Sequence, residues 1–230
     1  MEEQTKEVQV SSSKEITKLG QFSNVEELKR YAQVLIDGKL IPASFKSAEA
    51  VVSAIQMGRE LGVDPVTSLN NIIVISGKPT LTARLQAALV RKFGVAYKTI
   101  KDFQPIFPDG SNAPSQAGEK PVDYETVIRF YVPFHNTVIE DDVRFTWSMA
   151  QKMELTTKDN WKKMPVQMNY SRCLSMGIMR NCPQAINGLY ETSEIIDSVG
   201  SSEYTYDIDS EGNMKVNINP NSPLTQDNKN

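Results

Sequence analysis

The spacing of apolar residues predicts mainly helices in the first part of the chain. One helix is expected from Ser23, because Glu26 follows three residues later, as in a capping box. Its apolar stripe has helical spacing and consists of Leu28, Tyr31, Ala32 and Leu35. A second helix is expected from Ser47 to Gly62, since glycine commonly follows the last residue of a helix. Asp64-Pro65 then predicts a further helical turn through residue 69.

A short β-branched run at residues 72–75 predicts a strand, and Thr82 is placed to cap the helix that follows and extends to Phe93. The buried stripe of that helix is expected to be Leu85, Ala88 and Leu89. Further strands are expected at 95–103, 127–132 and 138–147, the last two forming a hairpin. The four prolines of residues 104–123 indicate a long flexible loop.

The second half of the chain adds more helices. A short helix is expected at residues 148–155, a loop at 156–164, a longer helix from Pro165 to Arg180, and a last helix at 193–199. This order predicts an α+β fold, in which a small antiparallel-containing sheet with a β-hairpin packs against several helices. Residues 1–22 are expected to form a flexible arm, 23–199 one domain, and 200–230 a disordered acidic tail.

The net charge of −3 hides a strong segregation of charge along the chain. Residues 72–103 hold six basic side chains against a single acid, and residues 144–182 hold seven against two. Residues 104–143 and 183–230 are acidic and offset both basic blocks. Two interpretations of the acidic tail stay open: it competes with phosphate for the same cations, or it is a solubilising appendage.

The basic blocks combine cations with aromatic side chains. Arg84 and Arg91 are seven residues apart, so they project from the same face of a helix. Lys162 and Lys163 directly follow Trp161. Proteins that bind single-stranded nucleic acid use cations to follow the phosphates and aromatic rings to stack on the bases. A solvated basic face with a core tryptophan accounts for the same pattern.

Evidence for catalysis is weak in this sequence, and no enzyme, metal or cofactor is expected. His135 is the only histidine and lies in the predicted hairpin turn, which deprives most nucleophile–base schemes of their usual base. The acidic run of residues 140–142 could bind Mg²⁺, as in a nuclease. However, neighbouring side chains of a strand point to opposite faces, which argues against a shared metal site. The Gly-Lys-Pro-Thr of residues 77–80 lacks the upstream glycine spacing of a phosphate-binding loop.

Cys173 and Cys182 match no zinc or redox spacing, and we expect both to be buried, reduced thiols in a reducing compartment. No apolar run approaches the roughly 18 residues of a membrane span. The polar start of the chain also lacks the apolar core of a secretory signal. The sequence therefore favours a cytoplasmic location.

Four stretches carry a resemblance to a known family. They are MGRELGVDP at 57–65, LNNIIVISGKPTL at 69–81, NWKKMP at 160–165 with Met168 and Arg172, and Gly-Leu-Tyr at 188–190 before Glu194. In this order and spacing, over about residues 25–197, the chain resembles the RecT/Red-beta superfamily of phage single-strand annealing recombinases.

The resemblance implies that residues 23–199 bind single-stranded DNA and anneal complementary strands in phage homologous recombination, without ATP or metal catalysis. It further implies a homo-oligomer, a ring or filament, in the cytoplasm of a bacterial host. The expected partners are single-stranded DNA, the annealed duplex and further copies of the chain. A phage exonuclease and the host single-strand-binding protein are further candidates.

The resemblance and the basic blocks together give nine candidate DNA-contacting residues. They are Lys78, Arg84, Arg91, Lys92, Trp161, Lys162, Lys163, Arg172 and Arg180. Trp147, Trp161 and Tyr170 stay open as the aromatic that stacks on bases. Two alternative functions also stay open: a passive single-strand-binding or partner-binding module of a phage replication system, and a metal nuclease.

Overall fold

The computed structural model describes residues 22, 24–42, 45, 47–75, 77–199, 204–208 and 214–218. The helices are α1 Val25–Asp37, α2 Ala48–Glu60, α3 Pro65–Asn71, α4 Ala83–Lys92, α5 Trp147–Lys152, α6 Asp159–Lys163, α7 Pro165–Asn181 and α8 Thr192–Val199. Two 3-10 turns lie at Leu155–Thr157 and Pro183–Ile186. The strands are β1 Ile72–Ile75, β2 Lys78–Leu81, β3 Ala96–Ile106, β4 Asp123–Phe134, β5 Thr137–Thr146, β6 Tyr204–Ile208 and β7 Met214–Ile218.

The fold is α+β, as predicted, and its largest sheet is antiparallel in the order β3-β4-β5. Helix α7 packs across one face of this sheet. The approach is close at Gly177, where a Cβ atom would lie only 2.1 Å from the Phe130 ring. Phe130, Ile128 and Phe145 are fully buried beneath the helix. The predicted hairpin is present, and its two-residue turn holds His135, which is exposed and has a φ of 52°.

The smaller β1–β2 hairpin joins the first helices to the end of the domain. Its turn contains Gly77, whose φ of 75° favours glycine. Leu81 pairs with Glu191 in an isolated parallel bridge, and its N–H donates to the Tyr190 carbonyl at 3.0 Å. The β1–β2 hairpin is therefore held to the segment that leads into α8.

Several predicted helix boundaries are confirmed. Ser47 caps α2 by accepting from the Ala50 N–H, and Thr82 caps α4 by accepting from the Leu85 N–H. Gly62 follows α2 with a φ of 65°. Pro165 occupies the first turn of α7. Each of these residues meets a hydrogen-bonding or backbone-angle requirement of a helix end, so it can be recognised from the sequence alone.

Other boundaries differ from the prediction. Helix α1 is capped by Asn24, which accepts from the Glu27 N–H, and not by Ser23, which lies outside the described residues. Ala88 was expected in the buried stripe of α4 but is exposed. Strand β3 reaches Ile106 instead of ending at residue 103, because its alternation of exposed and covered side chains continues while it pairs with β4.

The expectations for the two ends of the domain also need correction. Phe22 packs on Tyr31 at 4.9 Å and under the Arg59 guanidinium, so it belongs to the domain and not to the arm. The tail was expected to be disordered, but β6 and β7 pair with each other as antiparallel strands. Residues 1–21 and the remainder of the tail lie outside the described residues.

Cys173 and Cys182 are buried free thiols, as expected. Burial raises the pKa of Cys173 to about 12 and that of Cys182 to about 11. Within the part of the chain that the structure describes, no helix is both long enough and apolar enough to cross a membrane.

Candidate nucleic-acid interface

Helix α4 presents its cations to solvent along one stripe. Arg84, Ala88 and Arg91 are exposed at spacings of four and three residues, while Leu85 and Leu89 are buried on the other side. This confirms that Arg84 and Arg91 share a face. Lys78 is exposed on β2. Lys92 is also exposed, and its ammonium donates to the Gly62 carbonyl just beyond α2.

The end of α4 meets β3 and α7 at a group of aromatic residues. The Arg91 guanidinium lies 5.0 Å from the centre of the Tyr97 ring, a cation–π contact. Tyr170 of α7 reaches the same place, where burial raises the pKa of its phenol and Tyr97 and Thr99 are its hydrogen-bonding neighbours. Tyr97 in turn contacts the core residue Phe130. The cation at the end of α4 is therefore placed over Tyr97, a ring that is anchored in the core and lies beside Tyr170.

Lys162 and Lys163 are exposed in the last turn of α6, which is a short helix and not the loop predicted from the sequence. Only Met164 separates α6 from α7. From Pro165 to Tyr170 the helix rises by about 7.5 Å. Val166 and Gln167 are exposed one turn before Tyr170, on its side of the helix. The α6 cations thus lie just before α7, and the Arg91 end of α4 lies near Tyr170 in the second turn of α7.

Two of the nine candidates are not on the surface. Trp161 is fully buried, and its indole N–H points to Asp197 at 3.4 Å. Arg172 is buried between Asp197 at 2.7 Å and Glu194 at 3.2 Å. Lys158 also donates to Asp197, at 3.2 Å. The prediction of DNA contacts for Trp161 and Arg172 is therefore wrong, because both side chains join α6 and α7 to α8.

Arg180 is exposed near the end of α7. It forms an ion pair with Asp141 at 2.9 Å, near the end of α7. Ten residues separate it from Tyr170, which corresponds to about 15 Å along the helix. Arg180 therefore lies beside the acidic residues of the β4–β5 hairpin, at the opposite end of α7 from the α6 cations.

The charged residues on the sheet face away from α7 are largely paired with one another. Glu125 accepts from Lys101 and Arg144, each at 2.6 Å. Burial alone would raise the pKa of Glu125, but Lys101, Asn112 and Arg144 outweigh it and lower the pKa. Arg129 of β4 pairs with Asp142 and Glu140 of β5. Among the described residues no group of three potential ligands is placed to hold a metal ion.

The sequence reasoning missed the aromatic residues that accompany the cations. Residues 91–98 read Arg-Lys-Phe-Gly-Val-Ala-Tyr-Lys, with three cations, two aromatic rings and no acid in eight positions. This local composition is the signal that could have identified Phe93 and Tyr97. Tyr170 was one of the three aromatic residues left open as a stacking candidate, but only the packing of α7 on β3 brings it to this place.

Two of the sequence stretches that carry the resemblance pack closely against neighbouring segments of the domain. Gly58 packs so closely on Ser68 that a Cβ atom would lie 1.8 Å from the hydroxyl oxygen. The first stretch is thereby held against the segment that leads into the second. Thr80 of the second stretch lies 3.0 Å from the Thr192 hydroxyl, next to the bridge between Leu81 and Glu191. The residues of these stretches therefore contribute to the packing of the domain.

Comparison of the chain with protein-family models, with curated proteins and with solved structures gave no match in any of the three. The likeness to the RecT/Red-beta superfamily stands on the four quoted stretches.

Proposed function

We propose that the protein binds single-stranded DNA and anneals complementary strands without ATP, acting as an oligomer in phage homologous recombination. One observation carries the proposal: exposed cations lie at the end of α4, beside the half-buried Tyr97 and Tyr170, and in α6, which leads directly into α7. Cations that follow a phosphate backbone beside aromatic rings are the usual means of binding single strands.

The distribution of paired and exposed charge supports this surface over others. Three cations of the sheet, Lys101, Arg129 and Arg144, are engaged by carboxylates of the same sheet. By contrast, Lys162 and Lys163 lie in the last turn of a helix and are exposed. A polyanion gains most where cations are not already neutralised, because its binding releases condensed counterions.

Annealing follows if the bound strand keeps its base edges accessible. A protein that neutralises the phosphates of two strands lowers their mutual repulsion and the entropic cost of bringing them together. Several copies along a strand would be needed, since one domain of this size covers only a few nucleotides. This chemistry needs no catalytic side chain.

The first experiment is pairing of two complementary, fluorescently labelled oligonucleotides, with and without the protein, in EDTA and without ATP. Faster pairing supports the proposal. Binding without faster pairing favours a passive single-strand-binding module. Strand cleavage that appears on adding Mg²⁺ and is lost in Asp141→Ala would favour the nuclease. Absence of both pairing and binding would overturn the proposal and favour a partner-binding module.

The second experiment reverses charge at the proposed surface. We expect the triple variant Arg84→Glu, Lys162→Glu and Lys163→Glu to lose measurable binding to oligo(dT) at 0.1 M salt, while its thermal melt stays that of the parent protein. All three side chains are exposed, and like charges repel the phosphates.

The matched control reverses Lys29, Arg30 and Lys120, which are exposed and lie outside both basic blocks. It changes the net charge by the same amount, so its affinity should fall far less. Equal losses in the two triple variants would show that net charge, and not this surface, governs binding.

A further inference from the structure

Phe93 is a large aromatic side chain left in solvent at the end of α4. It is 56 % exposed, and two other aromatic residues of the described chain are exposed to a similar degree, Phe134 at 54 % and Tyr190 at 52 %. A single exposed apolar residue is common in folded proteins and needs no explanation by itself. The surroundings of the three rings therefore decide whether any of them has a role.

The surroundings of Phe93 are cationic. Arg91, Lys92 and Lys98 are exposed within five positions of it, and residues 91–98 contain no acid. Phe134 lies instead at the tip of the β4–β5 hairpin, where its ring contacts His135 at 4.6 Å and the acidic residues 140–142 follow on β5. Of the two exposed phenylalanines, only Phe93 has cations on both sides.

The backbone at Phe93 is fixed, although the ring is exposed. Its N–H donates to the Leu89 carbonyl at 2.8 Å, which closes the last turn of α4. Gly94 follows with a φ of 91° and turns the chain into β3. A ring on a fixed backbone loses little conformational entropy when a flat partner stacks on it. The Tyr97 ring nearby is already covered by Arg91.

We propose that Phe93 is a base-stacking residue for single-stranded DNA, with Arg91, Lys92 and Lys98 holding the phosphates on either side of the stacked base. This inference rests on the proposed function and assigns to Phe93 the role that the sequence suggested for Trp161. The ligand is an unpaired nucleobase of any identity, because every base offers a π face.

The test compares Phe93→Ala with Phe134→Ala in binding to oligo(dT). Loss of one base–aromatic stack weakens binding by about ten-fold or more. We expect this loss for Phe93→Ala and for Phe93→Leu, which keeps an apolar side chain but has no ring. Phe134→Ala should bind as the parent protein does, and equal affinities of all four proteins would overturn the proposal.

Salt dependence separates stacking from phosphate contact. Phe93→Ala should leave the slope of log affinity against log salt unchanged, whereas Lys98→Ala should make it shallower by about 0.7. A shallower slope for Phe93→Ala would mean that the substitution disturbs the cations, which would overturn the stacking role.

A direct readout replaces the ring by a fluorescent one. Phe93→Trp places an indole in solvent, and its emission should be quenched when oligo(dT) stacks on it, while Phe134→Trp should show no quenching. If both variants bind oligo(dT) but Phe93→Trp is not quenched, the stacking role is wrong and the proposed function stands. If the parent protein binds no oligo(dT), the proposed function itself fails.

Discussion

Burial raises the pKa of one carboxyl group among the described residues, that of Glu191. Its side chain is almost completely buried, and burial raises its pKa to about 7, although hydrogen bonds from Ser193 oppose the shift. Only one carboxyl oxygen, Oε2, accepts from the Ser193 N–H, at 3.0 Å, and the other oxygen has no hydrogen-bond partner. The folded protein therefore favours the protonated form of Glu191.

This environment predicts a pH-dependent stability. A folded-state pKa above the ordinary 4.5 of glutamate means that the folded state holds the proton more tightly than the unfolded state. The stabilisation is complete below about pH 4.5 and is lost as the pH rises through about 7, a change on the order of 3 kcal/mol. We expect Glu191→Gln, which cannot ionise, to gain stability relative to the parent protein between pH 5 and pH 8.

Urea unfolding of both proteins at several pH values measures that difference, and the contributions of all other groups cancel in it. Parallel stability curves for the two proteins would show that Glu191 titrates alike in the folded and unfolded states.

For single residues, the sequence alone does not show whether a side chain is buried. Predictions of function are therefore poor where burial decides whether a side chain can contact a ligand. Trp161 and Lys162 are neighbours in the chain, yet one is fully buried and the other is exposed. A tryptophan beside two lysines fits a stacking surface and a core position equally well. What distinguishes them is the contact of Trp161 with Asp197, which comes from 36 positions further along the chain.

At the scale of elements, Asp197 connects three helices by its contacts. It accepts from Arg172 of α7, and Lys158 and Trp161 approach it from the segment that contains α6. Its side chain is 4 % exposed, so these charges are shielded from water. Removing one member of a buried ion pair leaves the other charge uncompensated.

We therefore expect Asp197→Asn to lower the free energy of unfolding by about 3 to 5 kcal/mol. The control is Asp141→Asn, because the ion-pair partner of Asp141 is Arg180, whose side chain is 65 % exposed. A surface ion pair contributes about 1 kcal/mol or less. Chemical unfolding measures both variants, and equal losses would mean that Asp197 does not hold α8 in place.

The boundaries of helices were predicted better than the contacts between helices and strands. Ser47, Thr82, Gly62 and Pro165 set helix boundaries through local hydrogen bonds and backbone angles, which a sequence displays directly. The contacts between elements were not predictable in the same way. The place of Tyr170 beside Tyr97, for instance, depends on the angle at which α7 crosses the sheet.

For the whole molecule, the segregation of charge has a consequence for binding. The cations of α4 and α6 are exposed, while residues 200–230 carry five acids against two lysines. We infer that this acidic segment, which is present at a high effective concentration in the same chain, competes with phosphate for these cations. Its net effect depends on salt, because exposed charges are screened over about 10 Å at 0.1 M and about 3 Å at 1 M.

We therefore expect a chain ending at residue 199 to bind oligo(dT) more tightly than the full chain at 50 mM salt, and we expect the difference to shrink as the salt concentration is raised. Fluorescence anisotropy at a series of salt concentrations measures both effects. A full-length variant with Glu203, Asp207, Asp209 and Glu211 changed to their amides tests whether charge alone is responsible, and it should reproduce the gain. If truncation leaves the affinity unchanged at low salt but lowers solubility, the acidic segment is a solubilising appendage and not a competitor of DNA.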